Sequence, residues 1–69
     1  MKMGRFIAVT VENTHKRYMK YQVAVDHIQF FCEHESGGCS IVFGENVYVI
    51  TEESYERILE RIAVAKGTI

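Results

Sequence analysis

Proline is absent from the sequence, and neither a low-complexity run nor an internal repeat interrupts it. Nothing therefore marks a linker, and the 69 residues read as one domain, 1–69. Cysteine occurs twice, too few for a disulfide-built scaffold. No apolar run approaches the roughly 18 residues that a membrane-spanning helix requires. Residues 1–5 lead into the alternating stretch FIAVTV rather than into a long apolar core and cleavage site, so no signal peptide is expected. These absences together predict a soluble protein of a reducing cytoplasm with no membrane partner. A chain this short buries only about 60% of its unfolded surface, so self-association is an expected supplement to its core.

The charge is unevenly placed. Residues 1–25 carry Lys2, Arg5, Lys16, Arg17 and Lys20 against Glu12 alone, whereas residues 26–69 carry three basic and eight acidic groups. Such asymmetry marks either a nucleic-acid face or complementary surfaces for self-association.

Five segments have the composition or the period of strands. Arg5–Val11 is rich in β-branched residues and is followed by the polar turn cluster ENTHK, in which Asn13 tolerates unusual backbone angles. In the next segment, residues 17–25, Met19, Tyr21, Val23 and Val25 share one parity and Tyr18, Lys20, Gln22 and Ala24 the other, the alternation of a half-buried strand. Residues 28–34 and 39–43 continue the alternation on either side of ESGG, whose glycines can adopt positive φ, which predicts a hairpin. After the break at Gly44–Asn46, VYVI (47–50) reads as a fifth strand.

Residues 51–67 change period. Tyr55, Ile58, Leu59 and Ile62 fall on one helical face, Thr51 is a suitable N-cap, Glu52 and Glu53 suit the positive end of the helix dipole, and Gly67 is a terminator. Glu53 and Arg57 are spaced as an i, i+4 pair on the outer side. The expected architecture is α+β: a small antiparallel β-meander of about five strands followed by one C-terminal amphipathic helix packed on one sheet face. A single helix covers only one face of a sheet. Tyr18, Phe31, Val42 and Tyr48 are expected on the other, and Phe31, Val42 and Tyr48 are the candidate self-association residues, with a second copy of the chain as the most economical cover.

The stretch CEHESGGCS (32–40) invites a chemical reading. Structural zinc sites use four ligands in short pairs such as Cys-x2-Cys, whereas Cys32, His34 and Cys39 would need distant His15 or His27 as a fourth. Parity also sets Cys32 and Cys39 with Ile28, Phe30, Ile41 and Phe43 on the inferred core face, where a free thiol acts as a small hydrophobe. A Cys32–Cys39 disulfide would close only the loop that the hairpin already closes. A catalytic thiol at Cys32 with His34 as base lacks a basic surrounding to lower its pKa. With no Walker loop, dinucleotide fingerprint or nucleophile elbow, neither an enzyme, a metal site nor a cofactor is expected. The remaining candidate is HKRYMKY (15–21), in which His15, Lys16, Arg17 and Lys20 are interleaved with tyrosines. Cations neutralise phosphates and Tyr18 can stack on an unpaired base.

The order of elements resembles that of the small FlbD-like, swarming-motility family. IAVTVEN (7–13) is similar to that family's opening strand and turn, HIQFF (27–31) to its central strand, and SIVFGENVYVITEESYERILERI (40–62) to its strand, Gly turn, strand and Glu-Ser helix start. The resemblance implies a small cytoplasmic bacterial accessory protein without catalysis, and it carries over no functional residue. The sequence thus leads to a non-enzymatic interaction module, self-associating and bound to another protein. The alternative is a small nucleic-acid-binding regulator that uses residues 15–21.

Overall fold

A computed structural model describes residues 5–67. Along the chain run β1 (Phe6–Glu12), β2 (Tyr18–Ala24), a single 3-10 turn (Val25–His27), β3 (Phe30–Glu33), β4 (Cys39–Gly44), β5 (Val47–Thr51) and α1 (Tyr55–Lys66). The fold is the expected α+β meander with its C-terminal helix. All strand pairs are antiparallel and the order across the sheet is β2-β1-β5-β4-β3.

That order is the chain order closed into a circle and opened between β2 and β3. Val25 still donates its N–H to Arg5, and Gln29 already donates to Val42. Only Asp26, His27 and Ile28 lie between, and four residue steps reach at most about 14 Å. In a flat sheet the two edges would stand about 19 Å apart. The corner is tighter still, because Ile28 N–H turns back onto the Val25 carbonyl at 3.1 Å. The sheet must therefore curl, with an inner face around the core and an outer face towards solvent.

The inner face collects Ile7, Val9, Val23, Cys39 and Ile41, joined by Val25 from the corner and by Ile58 and Ile62 from α1, all buried. The helix lies against β1 and β3. Its covered stripe is Tyr55, Ile58, Ile62 and Ala65, and Leu59, expected in that stripe, is 47% exposed. One residue step turns a helix by about 100°, which carries Leu59 off the line that Ile58 and Ile62 define.

The start of the helix also differs from expectation. Ser54, not Thr51, is the N-cap, its hydroxyl accepting Arg57 N–H at 3.2 Å. Thr51 is the last residue of β5 and is buried, its hydroxyl donating to the Glu53 carbonyl at 2.9 Å. Gly67 ends the helix in the left-handed region, φ +75°.

Glu53 consequently stands outside the helix, and its partner is Arg61 rather than Arg57. The reason lies in β1. Its pairing with β5 is confined to Val11 opposite Thr51 and the adjoining bond from Glu52 N–H to Thr10 C=O, after which the chain leaves the sheet. Beyond that point the Glu53 carboxylate accepts Thr10 N–H at 2.9 Å and Thr10 Oγ1 at 3.0 Å, while Arg61 Nη1 donates both to the Ala8 carbonyl and to Glu53 at 3.1 Å. Two side chains thus continue the ladder where the neighbouring strand has ended, supplying partners to backbone groups that no strand meets. Partial burial pushes the Glu53 carboxyl up, but the donors from Thr10, its own backbone N–H and Arg61 outweigh burial and hold it below the ordinary 4.5.

Glycine matters most at one position. Gly37 takes the positive φ expected of the β3–β4 turn, +94°. Gly38 is there for a different reason, since a Cβ on it would stand 1.9 Å from the Thr51 carbonyl oxygen. The backbones of β4's entry and β5's exit touch across this point.

Two outcomes are expected. Gly38→Ala should lower unfolding free energy by at least about 2 kcal/mol, because the obstacle is backbone that cannot rotate aside; chemical denaturation that finds it neutral would refute the close approach. A carboxyl whose pKa is lower when folded stabilises the fold above its unfolded pKa and loses that contribution as pH falls through the folded value. Glu53→Gln should therefore cost about 1–2 kcal/mol at neutral pH and flatten the acid limb of a stability-versus-pH curve, both read from urea midpoints.

Candidate interaction surface

The basic segment forms the tip of the β1–β2 hairpin. Asn13 organises it: its Oδ1 accepts the N–H groups of His15 (2.8 Å) and Arg17 (3.1 Å), and its backbone pairs with Arg17 and Lys16. The left-handed residue is Lys16, φ +62°, rather than Asn13; Asn13 supplies the side-chain acceptor that turns the chain. The side chains of His15, Lys16 and Arg17 are all exposed. Tyr18 and Lys20 follow on the outer face, also exposed, whereas Met19 and Tyr21 point to the inner side. The interleaved cations and rings of the sequence are thus divided between two faces, and only Tyr18 accompanies the basic groups.

The β3-β4-β5 half carries the second candidate surface. Pairing sets Phe30 opposite Val42 and Val42 opposite Tyr48, a continuous row across three strands of the outer face. Phe30 is 55% and Tyr48 60% exposed. A parallel row of Cys32, Ser40 and Ile50 lies beside it. Phe31, expected in this surface with Val42 and Tyr48, faces the other way: it is half-buried against the core, its ring 5.4 Å from that of Tyr55 and tilted by 32°. Phe30, assigned to the core from parity, takes its place.

The same register decides the cysteines. Glu33 pairs with Cys39 and Cys32 with Ser40, so the two thiols lie on opposite faces of the sheet instead of sharing the core. Both are free, Cys32 exposed and Cys39 buried. Burial, with the nearby Cys32, pushes the Cys39 thiol up. His34, considered as a base for Cys32, belongs to the turn: its Nδ1 meets Ser36 Oγ at 2.8 Å and accepts Ser36 N–H at 3.2 Å. Among the described residues no group of three or more His, Cys, Asp or Glu side chains is placed to hold a metal ion, and no helix is long and apolar enough to cross a membrane.

Two hollows flank the helix. An apolar one of ≈ 300 Å³ lies between β1 and the helix's C-terminal half, bordered by Phe6, Ala8, Arg61 and Val64. A polar one of ≈ 410 Å³ lies between the β3–β4 turn and the helix start, rimmed by Glu33, Glu35 and Glu56. Sequence reasoning placed Phe30 in the core and paired Glu53 with Arg57, so it missed both the exposed place of Phe30 and the Glu53–Arg61 pair. The hairpin register would have found the first, and nothing in the local pattern points to the second. No family model matches the chain, and no curated protein or solved structure matches it.

The placement of the thiols has a direct readout. A disulfide-exchange reagent should titrate one thiol per chain in the native protein and two in denaturant. Cys32→Ser should remove the native reaction and Cys39→Ser should leave it; two thiols reacting together without denaturant would contradict the assigned faces.

Proposed function

We propose that the chain is a small, non-enzymatic accessory module of the cytoplasm that self-associates and binds another protein. The observation that supports this reading is the outer row Phe30–Val42–Tyr48. Aromatic side chains bury large area at small entropic cost and dominate the energetics of protein contacts, and here two of them stand on rigid strands with a β-branched residue between. The row has the character of a hot-spot centre, with Ser40 and Cys32 adjoining it. The resemblance of the element order to the FlbD-like, swarming-motility family agrees with a bacterial accessory role without catalysis.

A second reading rests on the hairpin tip. There His15, Lys16 and Arg17 are held on an ordered turn, with Tyr18 and Lys20 next to them on the outer face. Cations on a fixed backbone beside an exposed ring suit a single-stranded nucleic acid.

One experiment separates the two. Tagged full-length protein is used to retrieve partners from native lysate with and without nuclease. On the first reading a discrete protein is retained after nuclease and lost with Phe30→Ser combined with Tyr48→Ser, changes that alter stability by only about 0.5 kcal/mol each because the side chains are exposed. Nucleic acid recovered without nuclease and lost when Lys16, Arg17 and Lys20 are replaced by Ala would overturn that reading in favour of the second.

A further inference from the structure

β2 is an edge strand, and it is the longest unpaired edge among the described residues. Its inner ladder is fixed at both ends, by Asn13 N–H on the Arg17 carbonyl and by Val25 N–H on the Arg5 carbonyl. In that alternation Met19, Tyr21 and Val23 bond to β1, opposite Val11, Val9 and Ile7. The N–H and C=O groups of Tyr18, Lys20, Gln22 and Ala24 therefore point away from the sheet, where no described strand meets them. Such an edge is a template for another strand.

Two features identify the strand. Met19 and Tyr21 point to the inner side, yet each is 45% exposed, because α1 lies over β1 and β3. An apolar cover is missing beside β2. The edge is also self-complementary about its middle residue, Tyr21. The geometry points to a second copy of this chain as the occupant, its β2 pairing antiparallel with the first across a two-fold axis at Tyr21. In that register Lys20 of each copy faces Gln22 of the other and Tyr18 faces Ala24, so every outward backbone group of the strand gains a partner. On the inner side Met19 meets Val23 and the two Tyr21 rings meet each other.

The alternatives are poorer. Centring the axis on Lys20 would oppose two ammonium groups across a single strand spacing. Centring it on Gln22 would run Tyr18 against Asp26, past the strand's end in the 3-10 turn. At the other edge, the alternation leaves only Phe31 and Glu33 of β3 pointing outward, and Phe31 is stacked on Tyr55 of α1, so a second copy would bring its helix against the first. Antiparallel pairing of β2 with β3 fails on parity. Outward backbone belongs to outer-face residues in β2 and to inner-face residues in β3, which would join one sheet's inner face to the other's outer face. The inference rests on the self-association part of the function proposed above and assigns it a surface, leaving the Phe30–Val42–Tyr48 row free for another protein.

Sedimentation equilibrium of the full chain over the micromolar range tests it. The wild type should be a dimer. Gln22→Pro removes an N–H that bonds nothing within the chain and should raise the dissociation constant at least about tenfold, with an unchanged circular dichroism spectrum. Tyr21→Glu and Tyr21→Lys should each be monomeric, and their equimolar mixture should dimerise again, since only an axis at residue 21 brings the two new charges together. Phe30→Ser should leave the dimer intact. A wild type monomeric throughout overturns the proposal, as does a dimer indifferent to Tyr21→Glu, or a mixture that stays monomeric. A dimer dissolved by Phe30→Ser alone would move self-association to the outer row, which sinks the β2 pairing and leaves the interaction-module reading standing.

Discussion

The Glu53–Arg61 pair bridges the sheet where β1 outruns its neighbour β5. β1 is an interior strand by order, but β5 accompanies it for only a short distance before the chain departs for the helix. Left without a partner, the part-buried N–H of Thr10 would cost up to about 1–3 kcal/mol, and the exposed carbonyl of Ala8 less. Glu53 and Arg61 remove that cost by standing in for the missing strand, one as acceptor and the other as donor. Because Arg61 belongs to α1, the same contact also fixes the helix along its axis over the core. Ile58 and Ile62 then face Ile7 and Ile41 rather than solvent.

The fold was legible from the sequence because each element carries its own signal. Alternation marks the strands, the change of period at Thr51 marks the helix, and Gly37 and Asn46 take the backbone angles that their turns demand. The side-chain faces of β3 were not legible. Strand parity assigns residues to two sets, but which set is inside depends on how many residues the turn consumes. Either register of the 33–39 hairpin is compatible with the composition, and the real one sends Phe30 and Cys32 outward and Phe31 inward. The adjacency of two phenylalanines hides the difference, since either could have filled the core.

Candidate contact residues divide in the same way. That His15, Lys16 and Arg17 would be exposed was legible because a turn exposes its side chains whatever the register. That Val42 and Tyr48 share the outer face was legible because β4 and β5 alternate up to the irregularity after Val42. Glu53 and Arg61 were not, because the need they meet is created by β1, 43 positions away from Glu53 in sequence. A capping role explains a glutamate at a helix start so well in local terms that nothing prompts a search for a more distant one.

The three-residue corner between β2 and β3 has a consequence for how the molecule assembles. Every strand pairing except one joins neighbours in the chain, so a hairpin and a three-stranded meander can each form with short loops. The remaining pairing, β1 against β5, must close a loop of some forty residues, and the entropy of that closure rises only logarithmically with length. Among the strand pairings the non-local part is thus one brief seam, joined by the Val11–Thr51 pair, the Glu52–Thr10 bond and the Glu53–Arg61 contacts, and α1 reinforces it by packing on β1 and β3. Parting the two halves along this seam therefore requires α1 to leave β1 as well, since the helix packs on β1 and β3 alike, while the three-residue corner and each half's own ladder can stay intact.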